Sequence, residues 1–353
     1  MHWNRHLIAP VLLLFVGFGS ARAADSTSSF VHKKKYVMGS VFDIVAYNPS
    51  PAQASAAIDK AFQEIVRLDG VMNNYRADSQ LSRLNKSATF HPASVSPDLY
   101  HVIRESLDYS RLSGGKFDIS VGPLVSLWKA ALGGNRLPSK EEVAAARRCT
   151  GSDKVVLIPP NRVMFRSTCI QLDLGAIGKG YAVDRAVDVL REFGIKSALI
   201  NAGGSTIYGM GSPPGEAGWL VHLRDPSRQI DPTVVLFDES ISTSEQSRAS
   251  YLEDNSPGHI IDPETGRPLK TRFAVSVVAR TATSSDALST TLLLVGPDDG
   301  VRIIDNVPGT AALWIAPDGE SHSVSNGPRI LSSKQAESPY VSHQPLRGCG
   351  AHE

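Results

Sequence analysis

Ile170-Gln-Leu-Asp-Leu-Gly-Ala-Ile-Gly-Lys-Gly-Tyr-Ala-Val-Asp184 is the most informative stretch of this chain. Ile170, Leu172 and Leu174 alternate with Gln171 and Asp173, the period of two expected of a strand. Gly175 to Gly178 make a loop. From there to Phe193 the period becomes helical: Ala182, Val183, Ala186, Val187 and Leu190 share one face, and Gly194 is a C-terminal stop. Ser197 to Asn201 reads as the next strand, and Gly203-Gly204 turn the chain. The unit is strand, loop, helix, strand. Its loop offers free backbone N–H groups to an anion, lets a main-chain carbonyl face a cation, and sets Lys179 at the helix start within reach of a phosphate. It lacks the Gly-Lys-Ser/Thr ending of a P-loop and the dinucleotide glycine fingerprint. Glycine loops are common, and this one alone assigns no function.

Upstream, Lys35 to Tyr47 reads as a strand, with Phe42, Ile44 and Ala46 alternating with Val41, Asp43 and Val45. Pro51 opens a helix with Ile58, Ala61, Phe62, Ile65 and Met72 on one face. Ser96-Pro97 starts another, which ends at Gly114-Gly115. The charged, alanine-rich stretch from Gly133 to Gly151 fits a surface helix. Downstream, strands are expected at Trp219–Arg224, Thr233–Phe237 and Phe273–Ala279, then a helix from about Ser285 to Val295. Thr310–Ile315 and a partner after Pro317-Asp318-Gly319 form a closing hairpin. Hairpin-type strands mixed with helices, without steady βαβ alternation, favour an α+β fold over a doubly wound sheet.

The N-terminus is organised for export. Arg5 precedes an apolar run from Leu7 to Phe18, and Ala21-Arg-Ala23 ends it, so residues 1–23 read as a signal peptide cleaved after Ala23. That run is shorter than the ~20 residues a membrane span needs. Residues 24–34 read as a linker, 35–332 as the working domain and 333–353 as a polar, flexible tail. The expected location is the periplasm. The 36 Lys plus Arg nearly balance the 35 Asp plus Glu, without the clustered basic face of a nucleic-acid binder. The cysteines are Cys149, Cys169 and Cys349, with no Cys-x-x-Cys pair. Export permits a Cys149–Cys169 bridge. Cys169 also falls in an expected strand, and simple burial there is the favoured expectation.

Four segments carry candidate chemistry. Asp286 and Thr290 lie four apart on the late helix, so both project from one face among Ala287, Leu288, Leu292 and Leu293. A carboxylate and a hydroxyl on an apolar helix need partners: a hard cation would satisfy both, and so would helix capping by Ser284, Ser285 and Asp286. His259, before a turn at Asp262-Pro-Glu-Thr-Gly266, has the chemistry of a general base and equally of a histidine satisfied inside a turn. Tyr75-Arg-Ala-Asp-Ser79 and Lys116-Phe117-Asp118 each set an aromatic ring beside polar groups, fit for stacking on a flat heterocycle or for packing under a turn.

Together these segments resemble the ApbE family, the FAD:protein FMN transferases, from about Tyr36 to about Ile315. The resemblance is carried by Met38-Gly-Ser40, Tyr75 to Ser79, Gly115 to Asp118 with Val121-Gly-Pro-Leu124, Leu172 to Asp184, Asn201 to Gly204, Ile241-Ser-Thr-Ser244, His259 to Arg267 and Asp286 to Thr290. It implies an ApbE-like, T-fold-like α+β fold of mixed, largely antiparallel sheets with packed helices. It implies that Met38, Tyr75, Lys116, Phe117, Asp118, Asp173, Lys179 and Ile261 contact FAD. It further implies that Ala176 (through its carbonyl), Asp286 and Thr290 hold Mg2+, and that His259 activates the acceptor hydroxyl. The implied reaction is magnesium-dependent transfer of FMN from FAD to a threonine of an acceptor flavoprotein in a membrane or periplasmic redox complex, with AMP released. An FAD pyrophosphatase giving FMN and AMP, and a non-catalytic periplasmic flavin-binding protein, are the alternatives. Ser289 departs from an aspartate found in some members, Glu245-Gln246 stand where a glycine is common, and no lipid-attachment cysteine is present.

Overall fold

The computed structural model describes residues 29–133, 136–246, 258–327 and 330. The expected signal segment and the tail lie outside the described residues. Among them, no helix is long and apolar enough to cross a membrane.

An open, eight-stranded antiparallel sheet organises the fold. Its strands are β1 (Ser29–Val37), β2 (Ser40–Asn48), β6 (Ser197–Ala202), β7 (Thr206–Met210), β10 (Glu239–Glu245), β13 (Ala274–Ala279), β14 (Thr310–Ile315) and β15 (Ser321–Asn326), in that spatial order. The strand expected over Lys35–Tyr47 is instead a hairpin, and strand β1 occupies Ser29 to Lys34, the stretch taken for linker. The two-residue turn uses Met38 (φ 52°) and Gly39 (φ 71°). Positive φ at both central residues matches the twist of the flanking strands. Glycine at the second position was visible in the sequence, whereas a left-handed methionine was not.

The pleat decides which side chains enter the core. Phe42, Ile44 and Ala46 are fully buried under α1 (Pro51–Met72), while Val41, Asp43 and Val45 face the other side. Each large apolar side chain so buried contributes roughly 1.5–3 kcal/mol. Helix α1 starts as its sequence requires, with Pro51 in the first turn and the Ser50 hydroxyl accepting from the Gln53 N–H. It packs on α6 (Gly178–Glu192), and α6 packs on α7 (Ala282–Asp305), so the three helices cover one sheet face. The hairpin of β8 (Trp219–His222) and β9 (Thr233–Leu236) covers the middle of the other face, where Trp219, Val221, Val234 and Leu236 meet Ile241, Val278 and Leu313. Strands β13 and β14 are therefore buried throughout. Helix α7 breaks at Gly296 (φ 79°), just before Pro297, where the sequence pattern had ended it.

A smaller region of α2 (Gln80–Ser87), α3 (Pro97–Leu112), α4 (Gly122–Gly133), α5 (Lys140–Arg148) and the sheet β3 (Ala93–Ser94), β5 (Arg162–Phe165), β4 (Val155–Ile158) adjoins the main core. Helices α2 and α4 had no clear signal. A further hairpin, β11 (Ile261–Asp262) with β12 (Arg267–Pro268), lies beside α4.

Two expectations need correction. Ile170–Leu174 is extended but belongs to no sheet. Gln171 makes one bridge to Val121, Asp173 donates its N–H to the Ile119 carbonyl at 2.7 Å, and the Asn85 side chain bonds both main-chain groups of Leu172. Alternation reports two-sided burial, and here side-chain amides supply what a neighbouring strand would. Cys169 is not a buried strand residue either: it sits exposed in a turn and forms a disulfide with Cys149 at a Cα–Cα distance of 5.2 Å. Closing a loop of this length stabilises the fold by roughly 3 kcal/mol.

Candidate active site

The site is built where α6 begins against the first turns of α7. A Cβ on Gly180 would lie 2.2 Å from the Ala282 carbonyl oxygen and 2.8 Å from the Asp286 Cβ. Only glycine permits this approach. It brings the Gly180 N–H to 2.8 Å from the Asp286 carboxylate, which accepts it. Thr281 is the cap of α7, its hydroxyl accepting from the Ser284 N–H. Capping therefore does not explain Asp286, which is 5% exposed in the helix body. Burial raises its pKa, against the opposing pull of the Lys179 ammonium, the Gly180 N–H and the Thr206 hydroxyl.

Thr290, one turn along, meets Ser244 at 3.0 Å, and Ser244 meets Ser289 at 2.8 Å. Among the described residues no group of three or more His, Cys, Asp and Glu side chains converges. The donors the structure brings to this crossing are one buried carboxylate and the hydroxyls of Thr206, Ser244, Ser289 and Thr290. An all-oxygen set with one charge suits a hard cation that completes its shell with phosphate and water, so these residues fit magnesium.

Asp184, on α6, fixes the other helix. Its carboxylate accepts the N–H groups of Ala282 at 2.7 Å and Thr283 at 2.8 Å and the Thr283 hydroxyl at 2.5 Å. Burial outweighs these bonds and raises its pKa to about 6. Asp184 and Thr206 were missed as site residues. The first closes the quoted motif, and the second had no sequence signal because its role arises only when β7 meets α7.

Lys179 acts electrostatically on both Asp286 and His259. His259 is exposed. Crowding by its neighbours, and then the Lys179 charge, hold its pKa below the usual imidazole range. The remaining residues named in the sequence divide into two groups. Met38 stands near the start of α6, its Cε 3.9 Å from a Cβ built on Gly178. Asp173 accepts from Asn74 at 2.8 Å and from the Gly175 N–H, and the neighbouring Tyr75 ring is 65% exposed with the Lys129 ammonium 3.6 Å from its centre. Lys116 pairs with Asp262 and Glu264, tying its turn to the hairpin that follows His259.

Three others turn inward. The Phe117 ring is 2% exposed and packs against Tyr109, because Gly114 and Gly115 (both at positive φ) fold the chain back onto α3. It offers a ligand no stacking face. Asp118 accepts from the Ser120 N–H, and burial raises its pKa. Ile261 packs its side chain with Leu124, Trp128 and Val143, leaving only main-chain atoms for a ligand.

A model of the ApbE family matches residues 38–314. The FAD:protein FMN transferase of Vibrio cholerae is 30% identical over 306 residues, covering 83% of this chain and 88% of that one. That of Treponema pallidum is 29% identical over 338 residues, covering 90% and 92%. Among solved structures, the flavin transferase ApbE from Vibrio cholerae superposes with a TM-score of 0.77 at 28% identity over 85% of this chain and 98% of that one. The apo Pseudomonas stutzeri flavinyl transferase ApbE gives 0.74 at 26% identity, over 85% and 96%. A glycine-dependent helix crossing, a buried carboxylate facing it and these matches across nearly the whole described fold lead to one assignment: the chain belongs to the ApbE family.

Proposed function

We propose that this enzyme is an FAD:protein FMN transferase that uses magnesium, takes a threonine hydroxyl of an exported flavoprotein as acceptor, and releases AMP. The observation that carries the proposal is the buried Asp286 carboxylate held against the first turn of α6, with Lys179 within electrostatic reach of both it and His259. A carboxylate with so little solvent needs compensating positive charge. Asp286, Thr290 and the Ala176 carbonyl would hold the cation, which would offset the negative charge on the FAD pyrophosphate.

The protein's own groups account for the rest. The N–H groups of Gly178, Gly180 and Tyr181 are already bonded to Leu174, Asp286 and Ile177, so the Lys179 ammonium is the group that binds and orients the phosphates. The acceptor threonine Oγ attacks the FMN phosphorus, the bond from that phosphorus to the bridging oxygen breaks, and AMP departs with the electron pair. His259, neutral at neutral pH, accepts the hydroxyl proton. The exposed Tyr75 ring supplies a stacking face for one heterocycle of FAD. The N-terminal segment that reads as an export signal supports a periplasmic location for this chemistry.

Incubation of the purified protein with FAD, magnesium and an acceptor domain bearing a candidate threonine tests the proposal. Fluorescent, covalently labelled acceptor that disappears with chelator, together with stoichiometric AMP, is the expected result. Free FMN and AMP without label would identify a pyrophosphatase, and neither product a flavin-binding protein.

A further inference from the structure

One face of β10 is a row of polar side chains, and each grips a part of the site. Ser240 and Ser242 bond the Ser285 hydroxyl at 3.0 and 2.7 Å, and Ser242 also reaches Thr206 at 3.1 Å. Ser244 bonds Ser289 and Thr290. Successive even positions point the same way along a strand. The next in the series, just past the strand end, is Gln246.

Gln246 is 5% exposed, and its carboxamide is used at both ends. Its Oε1 accepts the His259 N–H at 3.1 Å and lies 3.4 Å from the Ile260 N. Its Nε2 donates to the carbonyls of Ile260 at 2.8 Å and Leu269 at 3.3 Å. The side chain therefore does the work of a short strand laid beside residues 259–260. Gly258 makes room for it: a Cβ there would meet the carboxamide at 2.5 to 2.8 Å.

We propose that Gln246 is the positioning residue for His259, fixing the base relative to the Asp286–Thr290 pair through the shared backbone of β10. The two attachments, Ser244 on the α7 hydroxyls and Gln246 on the His259 main chain, are two residues apart on one strand, so the distance between base and cation site is set by a rigid element. Loss of the carboxamide frees the His259 main chain while leaving Lys179, Asp286 and Thr290 in place. A buried amide satisfied by four main-chain partners is costly to remove without replacement, so local loosening is expected.

The inference rests on His259 acting as the base, and the experiment separates the two. Transfer rate at saturating FAD, FAD affinity by fluorescence quenching, and Mn2+ affinity by electron paramagnetic resonance are measured for Gln246→Ala, Gly258→Ala, His259→Ala and the Gln246→Ala/His259→Ala double variant. Gln246→Ala should lower kcat about tenfold or more, with both affinities within about twofold of wild type, and should have no further effect in the His259→Ala background. Gly258→Ala, which displaces the carboxamide without removing it, should lower kcat in the same sense. Gln246→Glu keeps an acceptor for the His259 N–H but loses the donors, and should fall between. The positioning role is overturned if Gln246→Ala weakens FAD and Mn2+ binding as much as it slows turnover, or if its effect persists in full without His259. Unchanged kcat in His259→Ala would instead remove the base assignment itself. Should Gln246→Ala fail to fold by circular dichroism, Gly258→Ala and Gln246→Glu carry the same comparison.

Discussion

Lys179 lies within electrostatic reach of the two groups that carry the chemistry, and its effect on them differs in kind. Beside Asp286 it favours the charged carboxylate against burial; beside His259 it adds to crowding in favouring the neutral imidazole. One cation thus helps keep an anion ready for a metal and a base ready for a proton. A lowered histidine pKa moves the loss of activity toward acid. Log kcat/KM for FAD, which reports the free enzyme, should be flat through neutrality and fall, with unit slope, through a midpoint below the usual imidazole value of about 6.5. The His259→Ala variant should lack that limb, and a wild-type profile with no acid limb would show that the neutral imidazole is not the base.

At the scale of elements, the crossing of α6 and α7 determines whether the site exists. The main-chain oxygen of Ala282 occupies the space where any Gly180 side chain would go, and it cannot move without moving α7. Gly180→Ala should therefore cost about 1–3 kcal/mol by overpacking. It should also weaken cation binding, because Asp286 loses its backbone donor as the helices separate. Urea unfolding and a metal titration on one preparation check both, and a variant with lowered stability but unaltered metal affinity would contradict the link. Much at this scale was legible beforehand. The helix starts at Pro51 and Ser96-Pro97, the stop at Gly194 and the closing hairpin after Pro317-Asp318-Gly319 all announce themselves through local chemistry. What escaped was non-local. Residues 170–174 look like a strand because their sides are buried alternately, yet Asn85, far away in sequence, completes their bonding. Met38 turns a hairpin with a residue that ordinarily avoids positive φ. Gln246 and Asp184 act through main-chain groups of other segments, a role that residue type alone never advertises. Phe117 and Ile261 were legible as positions in a motif, but not as side chains that face inward.

Across the whole molecule, the antiparallel sheet is a frame on which distant segments meet at one end of α6. Met38 comes from the first hairpin, Thr206 and Ser244 from central strands, Asp286 and Thr290 from the last long helix, and His259 from the connection after β10. The disulfide ties the end of α5 to the turn after β5 within the smaller region. The proposed chemistry depends on a cation gripped between α6 and α7. Its most direct test is titration of Mn2+ into the FAD-bound protein, followed by electron paramagnetic resonance, for wild type and Asp286→Ala. One strong site that weakens by about a hundredfold or more in a variant with an unchanged circular dichroism spectrum is the predicted result. Equal Mn2+ affinity in the two proteins would contradict it.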